Sequence, residues 1–145
     1  MCKYRIMKEK HQAEVNAFPM FFAFSTEQFN KGMSKLGLDP GDTDKIYRIG
    51  STGGFYRKTD HAAFNEMLDR HAHELADEIA ADKTGDGFIF DMFDYELANH
   101  EYNYTLDTEA TLDALGITRN DFSNNPALRI GLHKACDAAD ATNYK

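Results

Sequence analysis

Hydrophobic residues recur at intervals of three and four along most of this chain, which is the spacing of one face of an α-helix. Breaks in the pattern coincide with helix-ending residues, such as Pro19 after the first helix and Gly37 after the second. Ser25, with Gln28 three residues later, is a capping box that opens the second helix. The predicted helices span about residues 3–17, 26–36, 61–81 and 88–102, with shorter ones ending near 116, starting near 118 and opening at 126.

Three short runs have the composition of β-strands instead. PMFFAFS is an aromatic run suited to a buried strand, and KIYRIG and GFYRK flank a glycine-containing turn typical of a hairpin. The element order is therefore α-β-α-β-β followed by helices. We expect an α+β fold, a mainly helical single domain over residues 1–145 with a small two- or three-stranded antiparallel sheet. Its N-terminal α-β-α-β-hairpin part covers about 3–58, and its acidic helical part covers about 60–139.

Length and composition narrow the class of protein. At 145 residues the chain is long enough to bury a core without metals or disulfides, and we expect no cofactor. No apolar run approaches the roughly 20 residues that span a bilayer, so no membrane association is expected. Cys2 and Cys136 stand near opposite ends and do not form a disulfide framework. These features, with no secretory signal at the start, favour a soluble cytoplasmic protein.

The net charge of −8 is distributed unevenly along the chain. Residues 1–58 hold 10 Lys and Arg against 6 Asp and Glu, whereas residues 59–145 hold 6 against 18. This segregation predicts a negative surface on the two long helices that repels nucleic acid and attracts basic protein surfaces. Its carboxylates are those of Glu66, Asp69, Glu74, Asp77, Glu78, Asp91, Asp94, Glu96 and Glu101. We expect Tyr95 and Tyr102 to supply the aromatic anchors that charge alone does not provide.

The turn between these two helices, ADKTGDGFIFDMF starting at residue 81, resembles a calcium-binding loop. Asp82 stands at the first ligand position and Asp86 at the fifth, followed by the glycine that such loops need at the sixth. Phe93, however, replaces the bidentate glutamate of the twelfth position. A divalent ion would be left with too few ligands, so we predict no metal site here. We expect a helix–turn–helix corner with positive φ at Gly85 and Gly87, and with Asp86 capping the next helix.

The histidines are weaker candidates for a site. His71 and His73 are two residues apart on a helix and point to different sides, so they do not chelate one ion together. Glu96 and His100 are spaced i, i+4, as in a metal-dependent enzyme, but nothing in the spacing supplies the remaining ligands. A buried histidine held by a nearby carboxylate is the favoured interpretation. Cys136 lies on an apolar helix face and no serine lies in an elbow motif, so no catalytic residue is predicted.

The hairpin KIYRIGSTGGFYRK is the one basic and aromatic segment of the chain. Its turn lacks both the GK[ST] and the GxGxxG patterns, but its backbone would suit an anion such as a phosphate or a nucleic-acid single strand. The alternative, which we favour, is an exposed hairpin whose cations neutralise acidic helices of the same molecule. The cationic residues in question are Lys45, Arg48, Arg57 and Lys58.

The segments FPMFFAFSTEQFNKGMSKLGL, DTDKIYRIGSTGGFYRKTD, YELANHEY and TLDALGIT together resemble a family of small uncharacterised proteins from bacteriophages and mobile elements of gut bacteria. The resemblance covers nearly the whole chain, from about residue 3 to 139, and brings no known activity. It implies a context in which short acidic proteins act as accessory factors by binding a host protein. Anti-CRISPR and anti-restriction proteins belong to that class, and some of them imitate DNA with an acidic surface.

Three hypotheses about function follow from these observations. The first is a non-enzymatic protein of phage or mobile-element type that binds and inhibits a nucleic-acid-handling protein through the acidic helical face. Its partner would be a host or phage protein with a basic nucleic-acid-binding surface, met in the host cytoplasm. The second is a nucleic-acid or nucleotide binder that uses the hairpin at 45–58. The third is a metal-dependent enzyme that uses Glu96 and His100.

Overall fold

The computed structural model of the chain describes residues 2–102 and 106–143. Its main helices and strands follow one another in the predicted order, with short 3₁₀ turns at Thr43–Lys45 and Lys58–Asp60. The elements are α1 (Lys3–Ala17), β1 (Met20–Phe22), α2 (Thr26–Lys35), β2 (Ile46–Ile49), β3 (Gly54–Arg57), α3 (His61–Ala81), α4 (Phe88–Asn99), α5 (Glu109–Leu115), α6 (Arg119–Asn124) and α7 (Pro126–Asn143). The prediction of a mainly helical α+β protein with a small antiparallel sheet is confirmed.

The chain divides into two compact units. Unit 1 contains residues 1–11 and 73–145, and unit 2 contains residues 12–72. The predicted division near residues 58–60 differs from this boundary because α1 and α3 each contribute residues to both units. The single domain expected from the chain length stays a prediction.

Unit 2 is built around the three-stranded sheet, in which β3 pairs with both β1 and β2 in antiparallel register. Because side chains alternate along a strand, the sheet has two distinct faces. One face carries Met20 and Tyr56 and packs against Phe64 of α3. The other face carries Phe21 and packs against Met33 of α2. Helices therefore pack against both faces of the sheet.

Unit 1 is helical, and its core is formed mainly where α4 packs against α7. Two glycines permit this close approach. A methyl group at Gly85 would lie 2.4 Å from the carbonyl oxygen of Ala127, and one at Gly131 would lie 2.4 Å from Cγ2 of Ile89. The largest fully buried side chains of this core are Phe93, Ile89, Met92 and Leu97.

Candidate protein-binding groove

Unit 1 carries a groove with a cavity volume of about 390 Å³. Its α1 wall presents residues at helical spacings of three and four, which place them on one face. Its α3 wall presents a second such row, and Phe88 at the start of α4 completes the lining. The lining residues are Lys3, Ile6, Met7 and Lys10 of α1 and Glu74, Asp77 and Glu78 of α3.

A second depression of about 350 Å³ shares Lys3, Glu78 and Phe88 with this groove. It adds Asp82 and Asp91 from the segment that joins α3 to α4 and from α4 itself. The two depressions thus have lining residues in common, and we describe them together as the acidic groove. Four of the predicted partner-binding residues line it, namely Glu74, Asp77, Glu78 and Asp91.

The acidic groove combines charge with exposed apolar surface. Ile6 is 48% exposed, and Met7 beside it is half-buried. Phe88 is buried beneath them. Ile6 and Met7 thus form a small apolar strip bordered by charged side chains.

Most of the carboxylates in the acidic groove are not neutralised by ion pairs. Glu74 Oε2 lies 2.5 Å from His11 Nε2. Among residues 2–102 and 106–143, in contrast, no cation lies within ion-pair distance of Asp77, Glu78 or Asp91. Unit 1 as a whole holds 9 Lys and Arg against 16 Asp and Glu, a net charge of −7. The groove therefore carries negative charge that no described residue neutralises by an ion pair.

The remaining acidic residues of the predicted surface lie elsewhere. Glu66 and Asp69 are exposed on the part of α3 that belongs to unit 2. Asp94 and Glu101 are exposed in unit 1 and line neither depression.

Neither tyrosine predicted as an anchor is a free surface group. Tyr102 is only 7% exposed and belongs to the core of unit 1, where burial raises its pKa to about 12. Tyr95 is half-buried, with its ring 5.8 Å from the ring of Tyr4 and 5.2 Å from the ammonium of Lys8. The anchor prediction is therefore wrong for Tyr102, whose ring is part of the core, and Tyr95 already has partners.

Glu96 is not part of the acidic surface, because it is 2% exposed. Its Oε1 forms an ion pair with Lys8, and its Oε2 lies 3.3 Å from Nε2 of His100. Tyr4 lies close enough for burial and the Glu96 carboxylate to raise the pKa of its phenol. The i, i+4 pair of Glu96 and His100 is thus brought together as expected, within a buried polar network that includes an amine. Among the described residues no three His, Cys, Asp or Glu side chains cluster as metal ligands would.

The calcium-like loop forms the expected corner, but by a different mechanism. Gly85 has φ +82, as predicted, whereas Gly87 has φ −101. Asp82, not Asp86, supports the start of α4: its carboxylate accepts hydrogen bonds from the backbone amides of Gly85 at 2.9 Å and Ile89 at 3.0 Å. Asp86 instead forms an ion pair with Lys134. The predicted cap at Asp86 is therefore wrong.

Asp82 receives further hydrogen bonds from the amides of Thr84 and Gly87, at 3.2 and 3.1 Å. Burial acts to raise the pKa of Asp82, but the four backbone donors outweigh it and lower the pKa. The carboxylate at the first calcium position thus already has four backbone amide donors, three from its own loop and one from the first turn of α4, and a fifth donor in the Thr84 hydroxyl.

The sequence predicted a buried histidine held by a nearby carboxylate. His71 is half-buried in unit 2, with its Nε2 3.5 Å from Oε1 of Glu14. His73 is exposed and belongs to unit 1. Cys136 is half-buried on α7, and burial raises the pKa of its thiol. A raised pKa is the opposite of what an activated thiol nucleophile requires.

The cations of the hairpin are largely occupied within unit 2. Arg57 donates from Nε to Asp60 at 2.8 Å and from Nη1 to the carbonyl of Leu36 at 3.3 Å. Lys45 lies 3.6 Å from Asp42, and Lys58 lies over the ring of Tyr47. Arg48 is placed over the ring of Phe55.

The turn of the hairpin also uses its own donors. The Thr52 amide and hydroxyl donate to the carbonyl of Ile49, and the Gly54 amide donates to the Thr52 hydroxyl. These inward bonds leave fewer amides for an anion than the sequence suggested. The favoured alternative, in which the hairpin neutralises acidic helices, also differs from the contacts seen, since its ion pairs are with Asp42 and Asp60 nearby in sequence.

Sequence reasoning missed the contribution of α1 to the acidic groove. Lys3, Ile6, Met7 and Lys10 fall at spacings of three, one and three, which is the signal of a shared helix face. This spacing can be read from the sequence. Nothing in the basic N-terminal segment, however, indicates that α1 lines a groove together with the acidic row of α3.

A search of protein-family models matches residues 3–138 of the 145 to a family of unknown function, DUF7659. No curated protein and no solved structure matches the chain. Within the described residues, no helix is both long enough and apolar enough to cross a membrane.

Proposed function

We propose that this protein, which belongs to the DUF7659 family, is a non-enzymatic binding protein. In this proposal its acidic groove holds a basic, amphipathic segment of a partner protein. The observation that carries the proposal is that Asp77, Glu78 and Asp91, beside exposed apolar surface at Ile6, form no ion pair within the part of the chain that the structure describes. Carboxylates without internal partners are available to an incoming cation at a small desolvation cost.

The lining of the groove favours a polypeptide with both apolar and basic residues. The apolar strip of Ile6 and Met7 offers contacts that a simple cation or a free phosphate would not use. Lysines or arginines of the ligand would face Asp77 and Glu78 of α3. On the α1 wall of the groove, Lys3 would lie beside an acidic or neutral residue on the other side of the ligand. An amphipathic helix with one basic edge meets these requirements.

A finer proposal concerns the identity of the partner. Basic amphipathic segments are common in proteins that handle nucleic acids, and occupation of such a segment would compete with nucleic acid for it. We therefore propose a nucleic-acid-handling protein as the partner and inhibition as the outcome, as for an anti-CRISPR or anti-restriction protein of phage or mobile-element origin. The groove supports this proposal through its charge, although Lys3 and Lys10 make it less DNA-like than a uniformly acidic face.

The proposal is tested by capturing partners from host lysate on the tagged chain at low and high salt. The wild-type chain is compared with a variant carrying Asp77→Lys and Glu78→Lys. Loss of capture is expected in this variant, and weaker capture of the wild-type chain is expected at high salt, because salt screens exposed charges over roughly 8–10 Å. Each captured protein is then produced and its dissociation constant measured against both chains.

A matched control separates the groove from the overall charge. Glu109 and Asp113 are exposed on α5, and reversing both to lysine changes the net charge of unit 1 by the same amount outside the groove. This control should capture the partner as the wild-type chain does. Equal loss in both variants, or capture of proteins without a basic segment, would contradict the proposal.

A further inference from the structure

Unit 2 exposes two phenylalanines at the end of β1. Phe24 is 79% exposed, the most exposed large hydrophobic side chain of the described residues, and Phe22 is 53% exposed. Ile49 at the end of β2 lies on the same sheet face as Phe22, because both pair with Gly54, and it is half-buried against the core of unit 2. We call Phe22, Phe24 and Ile49 the aromatic shelf.

The two rings rest on bare backbone at the end of the hairpin. A methyl group at Gly53 would lie 2.7 Å from the ring of Phe24, and one at Gly54 would lie 2.8 Å from the ring of Phe22. Such distances show that each ring lies directly against a glycine. The Ala23 amide also donates to the Gly53 carbonyl at 2.9 Å, which ties the two segments together. The rings are thus held in place although they are exposed.

No charge lies in either of the segments that form the shelf. Residues 20–25 read MFFAFS and residues 49–54 read IGSTGG, without a single acidic or basic side chain. Unit 2 as a whole holds 7 Lys and Arg against 8 Asp and Glu, a net charge of −1, whereas unit 1 has −7. A charged partner would find no complementary charge on the shelf itself. A second copy of the same uncharged surface would find a match without like-charge repulsion at the contact.

We infer that the aromatic shelf is a self-association surface, through which two copies of this chain form a dimer. Exposed apolar clusters on otherwise polar proteins mark such contacts, and phenylalanines held in position lose little conformational freedom on binding. Side-chain packing, not strand pairing, would join the copies, because β1 has only three residues and follows Pro19. This inference does not depend on the acidic groove or on the function proposed for it.

The test is sedimentation equilibrium of the full chain over concentrations from about 1 μM to about 1 mM, a range that covers weak and moderate dimers. The wild-type chain should show a monomer–dimer equilibrium. The double variant Phe22→Ser with Phe24→Ser should raise the dimer dissociation constant at least ~10-fold, since two apolar anchors are lost. Circular dichroism should be unchanged, because both rings are more than half exposed.

Two further variants keep the inference open to refutation. Ile130→Gln removes an exposed hydrophobic residue of unit 1, which is 44% exposed, and should leave the dimer intact. If the double variant does not fold, Phe24→Ser alone removes the more exposed ring and should still weaken the dimer. A wild-type chain that stays monomeric throughout, including one that binds another protein at the shelf, would overturn the inference. So would a dimer that all the phenylalanine variants leave unchanged.

Discussion

The basic hairpin of unit 2 and the acidic groove of unit 1 both stand out in the sequence by their charge, but they use it differently. In the hairpin, Arg57 is bonded to a carboxylate and to a backbone carbonyl, and Lys45 lies beside Asp42. In the groove, Asp77 and Glu78 have no ion pair with any described residue. The charges of the hairpin therefore contact groups of their own unit, whereas these two carboxylates of the groove have no such contact among the described residues.

This difference teaches that the sign of a segment's charge is readable from sequence, whereas its availability is not. Availability depends on which side chains, near or distant in sequence, the fold places within about 4 Å, the distance at which ion pairs matter. The comparison can be tested by removing single charges and measuring stability. Removing a charge that is paired within the fold should lower the free energy of unfolding. Removing a neighbouring charge of the same sign that lacks such a contact should not.

The largest effect is expected at Glu96. This carboxylate belongs to unit 1, as those of the groove do, but it is buried and has partners. Glu96→Ala should lower the free energy of unfolding by about 3 kcal/mol, because it leaves Lys8 and His100 beside an empty site in the core. Urea unfolding at neutral pH measures the change. Asp94→Ala, on the exposed side of the same helix, should change it by less than about 0.5 kcal/mol. Equal effects in the two variants would show that the Glu96 network contributes nothing to stability.

A smaller effect is expected at the corner between α3 and α4. Asp82→Ala should cost about 2 kcal/mol, because four backbone amides lose their acceptor. Asp86→Ala is the matched control; it removes only an exposed ion pair with Lys134, worth about 0–1 kcal/mol. Thermal unfolding of both variants distinguishes them. A larger loss in the Asp86 variant would restore the cap that the sequence suggested.

A still smaller effect should separate two arginines of the hairpin. Arg57→Ala is expected to cost about 1–2 kcal/mol, since Asp60 and the Leu36 carbonyl both lose a donor. Arg48→Ala should cost less than about 0.5 kcal/mol, because its guanidinium lies over the ring of Phe55 on the surface. Urea unfolding of both variants gives the comparison. If Arg57→Ala is as mild as Arg48→Ala, the cations of the hairpin are free for a ligand after all.

Much of the fold was predictable because its signals are local. The Thr118 hydroxyl and the Asp121 carboxylate form the reciprocal cap that opens α6, and Pro126 is the first residue of α7. Gly116 ends α5 with φ +69. Ser25 caps α2, although the Gln28 side chain returns to the amide of residue 24 instead of residue 25. Caps and turns are decided by a few neighbouring residues, so a single sequence indicates most of them, although at the corner before α4 Asp82 takes the role predicted for Asp86.

The candidate site was predictable only in part because it depends on contacts between distant segments. The acidic row of α3 was expected, but the row of α1 that faces it lies about 70 residues away, as Lys3 and Asp77 show. Tyr102 and Glu96 had the residue types of surface groups, yet packing against other helices buries both. Hydrophobic periodicity alone does not show which of two partly apolar faces of a helix is the more buried.

The smallest effect concerns the pH dependence of an ion pair that, like those of the hairpin, lies within unit 2. The Arg70 guanidinium that hydrogen-bonds to Glu14 holds the pKa of that carboxyl at about 2, below its ordinary 4.5. Because the folded pKa is lowered, the pair's contribution to stability is complete above about pH 4.5 and is lost as the pH falls towards 2. Arg70→Ala should move the Glu14 pKa, followed by NMR of its carboxyl carbon, upwards towards 4.5 and flatten the acid unfolding curve in that window. Asp77→Asn, which removes an unpaired carboxylate of the groove, should leave the Glu14 titration unchanged. A Glu14 midpoint near 4.5 in the wild-type chain would mean that this pair, too, is open to a ligand.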